Sequence, residues 1–290
     1  MHEEKQDGGE SILVNLEYAA GARAVGYHKG DVPDVYENTS TNVPEFLTTS
    51  HAHWVYKRAD TWIHKIDTLE NAGAGKIIDL VGARFKALDR SLRNMMMTDL
   101  FTAADSEDDL TSIVDIISDA DPAYPGSNAG LQGIPVLTGT WWVSQVAACD
   151  GTNSDLIAKM QNIFDSCQQD DGDVPDLIVT SQAGFELYLA AAETKSGILK
   201  DTGEKTADLG FFGATFAGGT VPVVWDPHLT AKKFYFLNSD YIQLEVHEQD
   251  EFSSEGWEKV PNSRDATDAL YWTGNLICKK RSALGVLTYT

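Results

Sequence analysis

Three histidines, His51, His53 and His64, fall within one short stretch of the chain. His51 and His53 are two residues apart, the spacing that brings both to one face of a strand, where paired imidazoles can ligate a transition metal. No cysteine or carboxylate at suitable spacing completes such a set. Polar positions on an exposed strand therefore explain the three more simply than a metal-dependent enzyme does. Gly73-Ala74-Gly75-Lys76 has the look of a phosphate-binding loop. That motif needs a glycine five residues before Gly75 and a Ser or Thr after Lys76, and the chain has Glu70 and Ile77 there. His247-Glu248-Gln249-Asp250-Glu251 begins like a zinc-protease helix but carries Glu251 where the second histidine belongs, so a surface turn is expected. The acidic group Asp170, Asp171, Asp173 and Asp176 lacks the spacing and closing glutamate of a calcium loop. No nucleophile elbow of the GxSxG kind is present. The three cysteines, Cys149, Cys167 and Cys278, are odd in number and far apart, and are expected as buried free thiols. No catalytic, cofactor-binding or metal-binding residue and no cofactor is expected.

The composition narrows the classes further. Acidic residues number 44 against 22 basic, a formal net charge of -22, which opposes a surface built to grip nucleic acid through clustered Lys and Arg. With 290 residues and an apolar share of 42%, the chain suits a globular protein of two packed units. No apolar run approaches a membrane span, and MHEEKQDGGE lacks the apolar region of a signal peptide, which predicts a soluble chain not exported by that route.

The elements that would position these residues are organised around one stretch, Gly75 to Phe101. Ile77, Val81, Phe85, Leu88, Leu92, Met96 and Leu100 recur at steps of four and three, the signature of one amphipathic helix. At 1.5 Å per residue it is a strut on the order of 40 Å long. Gly82 inside it costs up to about 1 kcal/mol relative to alanine, so close packing or other contacts must compensate. Before this helix, Ile12, Val14, Leu16 and Tyr18 alternate as a strand, 34–44 is polar and turn-rich, and a return strand from Phe46 to Ile66 puts Ala52, Trp54, Tyr56, Trp62 and Ile66 on one face. The two make an arm. A two-stranded arm is marginal alone, and nothing adjacent in sequence covers its aromatic residues, which points to a neighbouring subunit as their cover. After the helix come a short helix or strand over 110–117, strand and turn material over 131–146, a helix over 154–167 and a strand over 176–180. Ser181 is placed to cap a following helix. Strands are expected at 221–225, 233–237 and 242–247, with two more over 269–290. Mixed without regular alternation, these elements favour an α+β fold.

In order and spacing they resemble the major capsid proteins of tailed bacteriophages, with the Hong Kong 97-type capsid fold. GGESILVNLEY is similar to that family's first extended-loop strand and the long helix with its NMMMTDLF ending to its spine helix. PDLIVTSQAGFELY, VPVVWDPH, KKFYFLNSDYIQLEVH and ALYWTGNLICKKRSALGVLTYT are similar to its later segments in the same order. The resemblance implies a short N-terminal stub at 1–9, an extended loop at 10–66, and a peripheral domain at 67–145 and 268–290 with the spine helix at 75–101. It puts an axial domain at 146–267. Family members usually carry a longer N-terminal arm before the first strand, whereas nine residues precede Glu10 here. No Lys and Asn pair for a covalent crosslink between subunits is identifiable. The implied function is structural: self-assembly as pentamers and hexamers into an icosahedral virus head that encloses double-stranded DNA without sequence-specific binding. Its implied partners are identical subunits, with scaffolding, portal and decoration proteins, and no membrane. Its implied location is the virion, after assembly in the host cytoplasm. Cellular encapsulin-like nanocompartment shells share this fold and are the alternative, with the His51, His53 and His64 enzyme as a further one.

Overall fold

The computed structural model describes residues 2–17, 47–72, 79–121, 130–136, 140–168, 174–194, 214–216 and 220–290. The first part of the chain forms β1 (His2–Gln6), β2 (Ile12–Glu17), β3 (Leu47–Ala52), β4 (Val55–Ile63), α1 (Lys65–Glu70), α2 (Leu80–Phe101) and α3 (Ile113–Ile116). The middle forms β5 (Gln145–Cys149), α4 (Asn153–Cys167), β6 (Leu177–Thr180), α5 (Gln182–Thr194), β7 (Ala214–Phe216) and β8 (Val221–Trp225). The last part forms β9 (Lys233–Leu237), β10 (Ile242–His247), β11 (Ser253–Ser254), β12 (Glu258–Lys259), β13 (Ala266–Cys278) and β14 (Gly285–Tyr289). Helices and strands are mixed as an α+β fold around two six-stranded sheets.

β13 is the axis of the first sheet. β4 runs antiparallel along one side of it, from Ala266 opposite Ile63 to Gly274 opposite Val55. β10, β11 and β12 run antiparallel along the other side, and β1 adds in parallel to the free edge of β10. Where β4 and β10 flank β13 together, Gly274 is required: a Cβ there would stand 2.5 Å from the Glu245 carbonyl oxygen and 2.7 Å from the Trp272 ring. α2 lies on the inward side of β4, with Leu88 and Leu92 buried at the contact. Lys57, almost wholly buried on β4, ties the two together, its Nζ 2.6 Å from Asp99 of α2 and 3.6 Å from Asp109.

The second sheet has the order β5-β14-β9-β6-β8-β7, parallel at β5/β14 and β6/β8 and antiparallel elsewhere. Its strands obey the period of two. Ile178, Phe234, Phe236 and Leu287 point into a core with α4 and α5, while Val179, Tyr235, Leu237 and Val286 point into the core shared with the first sheet. At β6, β9 and β14 both faces are covered, so these strands read as nearly continuous apolar runs.

Several expectations are corrected. The return strand of the arm is broken at His53-Trp54: β3 pairs with β2, and β4 leaves to join β13. The break resets the alternation, so Ala52 and Trp54 are buried while Tyr56 and Trp62 are exposed, and Ile66 lies on α1 instead of on a strand. The base of the arm is covered by its own chain. Ile12, Val14, Leu16 and Ala52 are buried in the main core, and β3 is tied to the 130–134 turn by the His51 amide donating to the Gln132 carbonyl at 2.9 Å. α2 starts at Leu80, capped by Asp79, whose carboxylate accepts from the Gly82 amide at 3.4 Å; 75–78 lie outside the described residues. A Cβ at position 82 would sit 2.7 Å from that carboxylate, which would have to shift to admit it. The stub at 1–9 contributes β1. Over 131–146 the described residues form one bridge between Leu131 and Ile134 and a 3-10 turn at Thr140–Trp142 before β5. Residues 242–259 pair into the first sheet and β14 pairs into the second.

Candidate functional site

The three histidines are separated into three structural roles. His51 is exposed on β3. His53, between β3 and β4, gives its carbonyl to the Asn275 side chain at 2.9 Å, and burial lowers its pKa, opposed by Glu107. His64 caps α1, its Nδ1 accepting from the Ile66 amide at 3.3 Å and its Nε2 lying 3.3 Å from Asp265. Among the described residues no group of three or more His, Cys, Asp and Glu side chains is arranged to hold a metal ion. The 247–251 segment is a turn, as expected: the Asp250 amide returns to the His247 carbonyl at 3.1 Å, and the His247 ring meets Trp54 edge-on at 5.6 Å. Asp176 accepts from the Ser239 amide at 3.1 Å. Asp170, Asp171 and Asp173, like Gly73 to Lys76, lie outside the described residues.

All three cysteines are buried and free. Burial pushes the Cys167 and Cys278 thiols up to about 12, which leaves almost no thiolate for nucleophilic chemistry. Cys149, also raised by burial, lines an open depression of about 640 Å³ with Asp150, Asp155 and Lys159. No triad or oxyanion cradle accompanies it among those lining residues.

The most elaborate polar arrangement is internal. Arg281, fully buried in a 3-10 turn, donates from Nε to the Ile116 carbonyl at 2.8 Å and from Nη2 to the Ser118 carbonyl at 2.8 Å, with longer bonds to the Asp115 and Trp142 carbonyls. It closes the C-terminal end of α3. Asp115 closes the other end, accepting from the Ser112 hydroxyl at 2.7 Å and the Ala104 amide at 3.1 Å. Asn275 joins this region to β13 by accepting from the Thr111 amide at 3.0 Å. Such a junction fixes the loop after α2 against both sheets. In sequence Arg281 is one of three consecutive basic residues, and no local signal singles it out.

On the outside, apolar residues stand in water. The outward side of β4 carries Tyr56 at 71% exposure and Trp62 at 63%. On α1 Ile66 and Leu69 are exposed, and the first turns of α2 leave Val81 at 47% and Phe85 at 39%. Val81 and Phe85 belong to the same stripe as Leu88 and Leu92, so the stripe runs beyond the chain's own sheet.

No protein-family model matches the chain, and no curated protein matches it in sequence. Solved structures do match in three dimensions. A chain of the cyanophage A-1(L) capsid asymmetric unit matches over 99% of this chain and 89% of its own, with a TM-score of 0.65 at 16% identity. For the capsid of the Myoviridae phage XM1 the values are 100%, 90%, 0.58 and 10%. The holo-SrpI encapsulin complex from Synechococcus elongatus matches over 99% and 84%, with a TM-score of 0.58 at 9% identity. The fold is therefore that of tailed-phage major capsid proteins, the Hong Kong 97-type capsid fold, as its sequence led one to expect.

Proposed function

We propose that the chain is the major capsid protein of a tailed bacteriophage, which self-assembles as pentamers and hexamers into an icosahedral head around double-stranded DNA. The observation that carries this reading is the end-to-end likeness to capsid chains, 99% to 100% of this chain. Exposed Tyr56, Trp62, Ile66, Leu69, Val81 and Phe85 support it, because a lone subunit has no cover for them. In this reading the first sheet with α2 as spine forms the peripheral domain. The second sheet with α4 and α5 forms the axial domain, and β2 and β3 belong to the extended loop. The protein acts by assembly and not by catalysis. Its partners are identical subunits, with scaffolding, portal and decoration proteins; it is assembled in the host cytoplasm and resides in the virion. The excess of negative charge means that DNA is confined in the shell and not held by general attraction.

A nanocompartment shell is the second reading, favoured by the encapsulin match, whose TM-score equals that of the XM1 capsid. Nuclease treatment of purified particles followed by extraction separates the two. Protected double-stranded DNA is expected; an enzyme cargo without nucleic acid would establish the second reading instead.

A further inference from the structure

β5 ends the second sheet, and among the described residues no strand pairs with its far side. The Gln145 amide donates to the Leu284 carbonyl at 2.9 Å, so in the parallel ladder with β14 residues 145, 147 and 149 turn their backbone groups inward. Val146 and Ala148 turn theirs outward. Both are exposed, Val146 at 43%. Sheet edges are ordinarily guarded by charge or proline. β1 carries Glu3, Glu4 and Lys5, and β4 carries Lys57, Arg58 and Asp60; β5 has no such guard along its five residues. The depression that Cys149 lines opens at the end of this edge. Beyond Ala148 and Cys149 it is walled by Asp150, Thr152, Asp155 and Lys159, two carboxylates against one ammonium. The Thr152 hydroxyl and amide donate to Asp150 at 2.7 and 2.9 Å and hold its carboxyl below the ordinary value, which keeps it ionised. Asp155 accepts from the Asp150 amide at 3.2 Å and joins the end of β5 to α4.

We propose that the free edge of β5 is a docking strand for an extended, basic segment of a partner protein. The segment adds to the six-stranded sheet as one more strand, exchanges backbone hydrogen bonds with Val146 and Ala148, and lays a lysine or arginine over the depression. Backbone pairing supplies affinity, and the cation selects the partner. The surplus carboxylate in the depression sets that preference, and a formal net charge of -22 draws in a cationic segment from a distance. A second copy would bring the same charge to this edge, where Val146 is the one large apolar side chain exposed to offset the repulsion. The inference stands apart from the proposed function.

The test is titration of the purified chain with a synthetic seven-residue peptide of alternating valine and threonine, blocked at both termini and carrying one lysine near its end, with hydrogen exchange read amide by amide. At about ten times the peptide's dissociation constant, the Val146 and Ala148 amides should exchange about tenfold more slowly, while those of 233–237 stay as they were. Glutamate in place of the peptide's lysine should weaken binding about fivefold. Val146→Pro removes an outward N–H and none of the bonds to β14, a change that edge strands admit, and should weaken binding about tenfold. Asp150→Asn keeps an acceptor for Thr152 and should weaken it about threefold, a readout that stands even if the proline variant does not fold. No slowing at Val146 and Ala148, equal binding of the glutamate peptide, or wild-type binding by a folded Val146→Pro would overturn the proposal. So would protection of both amides without peptide that grows with protein concentration, which would give the edge to a second copy.

Discussion

Arg281 shows how a single residue can hold a junction. Its guanidinium spans carbonyls from α3 and from the turn that ends at Trp142, and an arginine fork is one of the few groups able to satisfy several buried oxygens together. Arg281→Met keeps the bulk but leaves those carbonyls unpaired, and should cost on the order of 3 kcal/mol, read as a shift in the denaturant midpoint. Arg281→Lys should recover only part of this, because one ammonium cannot reach the same set of acceptors. Recovery of full stability by lysine would mean that charge, not geometry, matters. His53 makes a second case. Burial lowers its pKa from 6.5, so the unfolded chain takes up the proton more readily. Its contribution is present above pH 6.5 and is lost as pH falls towards the lowered folded value. Thermal unfolding of His53→Asn should accordingly fall less than wild type as pH is lowered from 7 to 5; an identical slope would remove His53 as a source of acid sensitivity. Neither role was legible in the sequence. Arg281 stands in a run of three basic residues within 269–290, expected only as strand material, and His53 drew attention as a ligand candidate, whereas its place between two strands makes it structural.

Among the elements, those with a strong local pattern were legible. The strands at 221–225, 233–237 and 242–247 have the bounds expected from the sequence, and α4 starts one residue earlier than expected. β1 was not legible, since His2-Glu3-Glu4-Lys5-Gln6 has no apolar face and is held by backbone pairing to β10. The break at His53-Trp54 escaped too, because β4 owes its direction to a partner more than 200 residues later, and periodicity carries no information about such pairing. The apolar stripe of α2 was found correctly, but its two halves differ: Leu88 is 4% exposed whereas Phe85 is 39% exposed. Leu88→Asp should therefore abolish soluble folding, as burying an unpaired carboxylate costs several kcal/mol. Phe85→Asp should leave the subunit folded and impair assembly, read by circular dichroism together with sedimentation. Wild-type thermal stability in Leu88→Asp, or wild-type assembly in Phe85→Asp, would break this division of the helix.

At the scale of the whole molecule charge is the controlling quantity. With a formal net charge of -22 on every chain, a closed shell concentrates like charge. The Debye length is about 8 Å at physiological salt and about 30 Å near 0.01 M, so at low salt neighbouring subunits feel more of one another's fields. Exposed ion pairs across interfaces would oppose this but contribute only about 0 to 1 kcal/mol each. Particles should dissociate at a lower temperature in about 10 mM than in about 150 mM salt, and millimolar magnesium should restore them. A rise in stability as salt is removed would mean that attractive pairs dominate the interfaces.

The measurement that tests the account most directly is a negative-stain micrograph of the purified chain at physiological salt. A subunit with the Hong Kong 97-type fold and apolar residues exposed on β4, α1 and α2 should appear as closed shells or as rings of five and six. A field of dispersed monomers, unchanged at raised protein concentration and with magnesium present, would contradict a shell-forming function.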